Sequence, residues 1–108
     1  MIYKNIDIKW LGHSGFMIKD ALGKVVYIDP YKLEKESEEY EAADFIFITH
    51  PHYDHCSIED IRKVYKPDTV VICTADCQSK MRHVSESVKV MTVSSGDKFQ
   101  FEEQKFLV

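Results

Sequence analysis

No apolar run in this 108-residue chain exceeds about five residues, against the roughly 20 needed to cross a bilayer as a helix. A membrane-spanning chain is therefore not expected. The start shows no basic segment leading into an apolar stretch, so no signal peptide is read, and a cytoplasmic location is the expectation. Cysteine is sparse and odd in number: Cys56, Cys73 and Cys77. Such a set does not make a disulfide framework, and the cysteines read as small buried hydrophobes. There is no basic excess either, since 18 Asp+Glu outweigh 14 Lys+Arg for a formal net charge of −4. Binding nucleic acid through bulk electrostatics needs a concentrated basic face, so a nucleic-acid partner is not expected. Repeats and low-complexity linkers are also lacking. The remaining composition, 44% hydrophobic and 30% charged, is that of an ordinary folded domain, and the length allows only one.

Ile6-Asp7-Ile8-Lys9-Trp10 alternates apolar and polar residues as a half-buried strand does. Gly12-His13-Ser14-Gly15 turns the chain into a second strand, Phe16-Met17-Ile18. A turn at Gly23 leads to Val25-Val26-Tyr27-Ile28, which stops at Asp29-Pro30 because proline cannot continue a ladder. The charged stretch 34–41 reads as a solvated loop or short surface helix. Phe45-Ile46-Phe47-Ile48 and Thr69-Val70-Val71-Ile72-Cys73 are continuous runs of β-formers, expected as strands covered on both faces. Ser57 to Asp60 is a capping-box pattern opening an amphipathic helix, with Ile58, Ile61 and Val64/Tyr65 inward and Pro67 marking its end. A short helix over Ala75–His83, a strand over Val88–Val93, a turn at Ser95-Gly96-Asp97 and a strand from Lys98 complete the reading. Strands first, then strands alternating with helices, predict an α/β (α+β) fold: a mixed sheet with helices on one face.

The chemistry is concentrated between the Phe45–Ile48 strand and the Ser57 helix, in Thr49-His50-Pro51-His52-Tyr53-Asp54-His55. His50, His52, Asp54 and His55 place four potential metal ligands within six residues. In an extended segment, alternate residues point the same way, so His50 and His52 can converge on one ion. Asp54 and His55 fall where the chain turns, and can face a second position. Imidazole nitrogen and carboxylate oxygen suit zinc, manganese or iron rather than calcium. A polar loop whose histidines merely cap and hydrogen-bond would suit a lone histidine, not this density.

His50-x-His52-x-Asp54-His55 after an apolar strand resembles the H-x-H-x-D-H signature of the metallo-β-lactamase superfamily. Trp10-Leu11-Gly12-His13-Ser14-Gly15-Phe16, Tyr27-Ile28-Asp29-Pro30 and Ala43-Asp44 are similar to the Zn-dependent hydrolase branch that includes L-ascorbate-6-phosphate lactonase-like proteins. The resemblance runs along essentially the whole chain. It implies that His50 and His52 bind a first metal, that Asp54 and His55 bind a second, and that Asp29 supports the metal loop from behind. His13 lies in a loop bordering the site in that branch, where a pocket role and a turn held by backbone hydrogen bonds are both open. Two ions about 3.5–4 Å apart would activate a water for hydrolysis of an ester, lactone, amide or phosphodiester. Asp54 would hold or accept the proton of that water. The H-x-H pair disfavours the flavodiiron relatives, which carry glutamate at the second position.

The family fold is an αβ/βα sandwich of two similar halves, and residues 1–108 correspond to the N-terminal half as a single partial domain. The further histidine, bridging aspartate and last histidine of the complete site have no counterpart here, and His83 matches none of them. One copy of this chain therefore does not assemble a complete dinuclear centre. The expectation is a metal-dependent hydrolase acting on a small-molecule substrate, represented by a truncated domain. The sheet face left open would be covered by the missing C-terminal half or by a homo-oligomer partner. A non-catalytic metal-binding or dimerisation module, or a nuclease of the same fold, is the alternative.

Overall fold

The computed structural model describes residues 2–3, 6–12, 15–33, 40–49, 56–94, 98–101 and 104–107. Nine strands are found among them: β1 (Ile2–Tyr3), β2 (Ile6–Gly12), β3 (Gly15–Lys19), β4 (Val25–Ile28), β5 (Phe45–Ile48), β6 (Val70–Cys73), β7 (Lys89–Thr92), β8 (Lys98–Phe101) and β9 (Gln104–Leu107). The helices are α1 (Ile58–Val64) and α2 (Ala75–Gln78), followed by a 3₁₀ turn over Met81–His83. The charged stretch 34–39 and the 95–97 turn lie outside the described residues. Among the described residues no helix is long and apolar enough to cross a membrane.

β1 to β7 form one sheet in strict sequence order, while β8 and β9 pair separately as an antiparallel hairpin. β1 to β4 are antiparallel neighbours, and β4 through β7 run parallel. The antiparallel part is made by tight turns. Asp20 closes the β3–β4 turn by accepting the backbone N–H groups of Leu22 and Lys24, both at 2.9 Å. Gly23 takes the positive φ of +84° that this turn requires. The parallel part needs crossovers, and right-handed crossovers in a sheet growing in one direction all fall on one face. The core reflects this. Met17, Val25, Tyr27, Ile46, Ile48, Val71 and Cys73 form a buried cluster with Ile61 and Val64 of α1, Cys77 of α2 and Met81. Complete burial of a side chain such as Ile61 or Ile46 contributes about 1.5–3 kcal/mol.

The opposite face is built from the alternate positions. In register across the sheet lie Phe16, Ile28, Phe47, Ile72 and Met91, an unbroken apolar row. Ile72 and Phe45 on this face are buried, whereas Ile18, Val26, Ile28, Phe47, Val70 and Met91 are half-buried and Phe16 is exposed. The continuous runs in β5 and β6 predicted cover on both faces. Their helical face has it completely, and the other only in part.

Two helical expectations are adjusted. α1 ends at Val64 rather than running to Pro67, because Lys66 precedes a proline and is biased away from helical backbone. The single helix expected over Ala75–His83 is broken into α2 and the 3₁₀ turn. Its links close over three residues, with N–H donation from Cys77 to the Thr74 carbonyl, Lys80 to Cys77, and His83 to Lys80. That is 3₁₀ bonding, which does not propagate far.

Candidate metal-loop scaffold

The carboxyl ends of the parallel strands gather at one edge of the sheet, where open α/β folds bind their ligands. β4 delivers Asp29 to this edge, β5 delivers Thr49, and β6 delivers Thr74. His50, His52, Asp54 and His55, directly after Thr49, lie outside the described residues, as does His13. Among the described residues no group of three or more His, Cys, Asp or Glu is arranged to hold a metal ion. What is described is the frame on either side of the 50–55 segment.

Ahead of the segment stands Asp29, only 2% exposed. Its Oδ1 accepts the Thr49 backbone N–H at 2.8 Å and its Oδ2 accepts the Thr49 hydroxyl at 2.5 Å. The Asp29 backbone N–H donates to the Phe47 carbonyl at 2.9 Å, extending the parallel ladder by one step. The residue adopts a φ of +46°, a left-handed conformation that aspartate tolerates better than most side chains. Both carboxylate oxygens are thus directed at the residue preceding His50.

Behind the segment stand Cys56, which is buried, and Ser57, the N-cap of α1, whose hydroxyl accepts the Asp60 N–H. The Asp60 carboxylate does not fold back onto the cap backbone as a capping box would. It accepts the Ser57 hydroxyl at 2.6 Å and the backbone N–H groups of Lys32 and Leu33 at 2.9 and 2.8 Å. Glu59 and Asp60 in the first turn of α1, with Arg62 and Lys63 in its last, also complement the helix dipole.

The three cysteines cluster beneath this frame as free, buried thiols. Burial pushes Cys56 up to about 11, with the neighbouring Cys77 thiol adding to the shift. Burial likewise pushes Cys73 up to about 12, with Cys77 and Cys56 contributing. Thiols held protonated in this way are poor nucleophiles and poor metal ligands. Their role is packing, as the sequence suggested.

A cleft of about 240 Å³ opens at the same edge between β6 and β7, lined by Thr74, Ala75, Asp76, Thr92, Val93 and Ser94. A larger hollow of about 500 Å³ lies at the amino end of the parallel strands. Its walls include Lys66, 3.0 Å from Asp44, and Lys89, 3.8 Å from Asp68, so its cations face carboxylates rather than an open anion site. Sequence reasoning singled out Asp29 but missed Thr49 and Asp60 as parts of the frame. The capping-box pattern gave the only signal for Asp60, and nothing in it pointed to Lys32 or Leu33.

Comparison with known proteins accords with this architecture. The family described as a β-lactamase superfamily domain matches residues 7–107, and the chain belongs to that family. A UPF0173 metal-dependent hydrolase of Koribacter versatilis is 30% identical over 106 residues, covering 90% of this chain and 46% of the relative. Another from Myxococcus xanthus is 40% identical over 53 residues, covering 45% of this chain and 19% of the relative. The crystal structure of a protein from Parabacteroides distasonis, described as a candidate metal-dependent hydrolase, superposes with a TM-score of 0.72 at 27% identity. That match covers 87% of this chain and 40% of the neighbour. The chain therefore spans less than half the length of these relatives.

Proposed function

We propose that residues 1–108 form the N-terminal half of a metal-dependent hydrolase domain, in which His50 and His52 hold one divalent ion and Asp54 and His55 a second. The observation that carries this reading is the Asp29 carboxylate. Its two oxygens grip the Thr49 N–H and hydroxyl immediately ahead of His50, as a group that orients ligands from behind would. The donor set fits the ion: three imidazoles and a carboxylate favour zinc, with manganese or iron as alternatives. When bound, such ions lower the pKa of a coordinated water and polarise the bond it attacks. Asp54 is assigned the proton of that water in addition to its place as a ligand, and the substrate is a small ester, lactone or phosphoester. His13 is placed at the pocket rim. The apolar row through exposed Phe16 and half-buried Ile28, Phe47 and Met91 is the surface on which the second half of the sandwich packs. Three free buried cysteines suit a reducing compartment, so the site of action is assigned to the cytoplasm.

The test is zinc content and hydrolysis of generic ester, lactone and phosphodiester substrates by the full-length protein, with His50→Ala and His52→Ala alongside. Loss of both metal and turnover in the variants is expected. Turnover that survives both substitutions would overturn the reading. The half-length match to the relatives favours one second reading, a metal-binding module without catalysis. Retained zinc with no hydrolysis of any substrate class would select it.

A further inference from the structure

We propose that Asp60 is a positioning residue for the metal-binding segment, acting through the turn at 29–33; the inference rests on the ligand assignment above. The 29–33 turn is tied to the described residues on either side of the 50–55 segment. At its start, Asp29 holds Thr49, the last described residue before the segment. At its end, the N–H groups of Lys32 and Leu33 are held by Asp60, which also accepts the hydroxyl of Ser57, next but one after His55. Entry and exit are thereby fastened to one short stretch of backbone by two buried carboxylates.

The geometry of the turn makes this possible. Asp29 and Lys32 are the two non-glycine residues with positive φ among the described residues, at +46° and +52°. From one end of this turn the Asp29 carboxylate bonds Thr49 after β5, and from the other the N–H groups of Lys32 and Leu33 bond Asp60 in α1. Leu33 is anchored in the core at 4% exposure, and the Lys63 ammonium donates to its carbonyl, adding a second tie from α1. Asp60 is itself 6% exposed and receives three donors. An asparagine offers one acceptor oxygen and turns an NH₂ toward an N–H, which leaves a buried donor unpaired. Outer partners that orient metal ligands typically govern affinity by roughly 10- to 100-fold.

The experiment measures zinc affinity of the full-length protein by competition with a chromophoric chelator, together with the visible spectrum of the cobalt(II)-substituted protein. The variants are Asp60→Asn, Ser57→Ala and, as a control, Thr69→Val. Thr69 is fully buried and donates its hydroxyl to the Ala43 carbonyl at 2.6 Å. Its replacement therefore lowers stability without touching the 29–33 turn. Asp60→Asn is expected to weaken zinc binding roughly 10- to 100-fold and to change the cobalt spectrum, while Thr69→Val keeps wild-type affinity and spectrum. Wild-type affinity in Asp60→Asn, or an equal loss in Thr69→Val, overturns the inference. If Asp60→Asn does not fold, Ser57→Ala carries the test, with a smaller loss expected and wild-type affinity overturning it. A wild-type protein that binds no zinc overturns the ligand assignment and this inference together. Wild-type binding with an insensitive Asp60→Asn overturns this inference alone.

Discussion

Gly15 lies so close to Asp29 that a β-carbon on it would stand 2.9 Å from the Asp29 carbonyl oxygen. That oxygen belongs to the backbone and cannot swing aside, so any larger residue at 15 must displace the aspartate that holds Thr49. Gly15→Ala is expected to lose about 1–3 kcal/mol as an overpacked site and to weaken zinc binding. Gly23 is a useful contrast, with φ at +84° and nothing within 4 Å of where a β-carbon would stand. Gly23→Ala is expected to cost about 1–2 kcal/mol through backbone conformation alone and to leave zinc affinity unchanged. Urea unfolding and chelator competition on both variants separate the two effects.

Removing the Asp29 carboxylate tests the same contact directly. Asp29→Ala leaves the Thr49 N–H without its acceptor and puts an intolerant residue at φ +46°. A loss of about 2–4 kcal/mol is expected from the two causes together. Asp29→Asn keeps one acceptor and the tolerance for left-handed backbone, so its loss should be about half as large. A wild-type midpoint for Asp29→Asn in urea would show that the paired acceptance by Oδ1 and Oδ2 does not matter.

Alkali should unfold the protein earlier than its net charge suggests. Burial raises Tyr27 to about 12, with Glu41 and Tyr40 adding to the shift, and burial raises Cys56 and Cys73 to about 11 and about 12. Groups with raised native values contribute stability that is complete below their unfolded values, near 8.5 for cysteine and 10 for tyrosine. That stability is lost as pH climbs through the native values. Urea midpoints are expected to fall steadily above about pH 8.5. Tyr27→Phe, which gives up the 2.7 Å bond to the Glu41 carbonyl, should cost about 0.5–1.5 kcal/mol at pH 7 and flatten the decline above pH 10. In the same native protein, thiol reagents should modify Cys56 and Cys73 only as fast as the chain opens.

The acid limb has an identifiable contributor in Asp44. Burial alone would raise its pKa, but the Val25 N–H at 2.9 Å and the Lys66 ammonium at 3.0 Å outweigh burial and lower it. A lowered carboxylate stabilises the fold above its unfolded value of about 3.9, and that contribution disappears as pH falls through the native value. Asp44→Asn is therefore expected to be less stable than wild type at pH 7 and to converge with it near pH 2. Parallel urea curves at the two pH values check this. A constant gap between them would place the effect in packing instead.

The strands were legible because their signals are local. Phe45–Ile48 and Val70–Cys73 are unbroken runs of β-formers, and β4 stops at Ile28, just ahead of Asp29-Pro30. The Ser57–Asp60 pattern also announced the start of α1 correctly. What it concealed was the destination of the acid, since the two backbone donors it binds lie 27 and 28 residues away in sequence. Ala75–His83 has too few turns for its periodicity to distinguish α-helical from 3₁₀ bonding, so the break after Gln78 had no signature. The candidate ligands His50, His52, Asp54 and His55 stand apart from these cases: their density in the sequence marked the segment, and the structure describes the residues on either side of it.

The sequence-ordered sheet gives the molecule a direction of assembly. From β2 to β7 each strand pairs with the one made just before it, so during synthesis each of these strands finds a partner already made. Asp29 and Thr49 are 20 residues apart, an interval of ~1–4 s at the usual pace of ~5–20 residues per second. The aspartate is therefore made, and its hairpin can close, before the segment it receives has left the ribosome. The anchor that holds Thr49 is thus in place before the residues that follow Thr49 emerge.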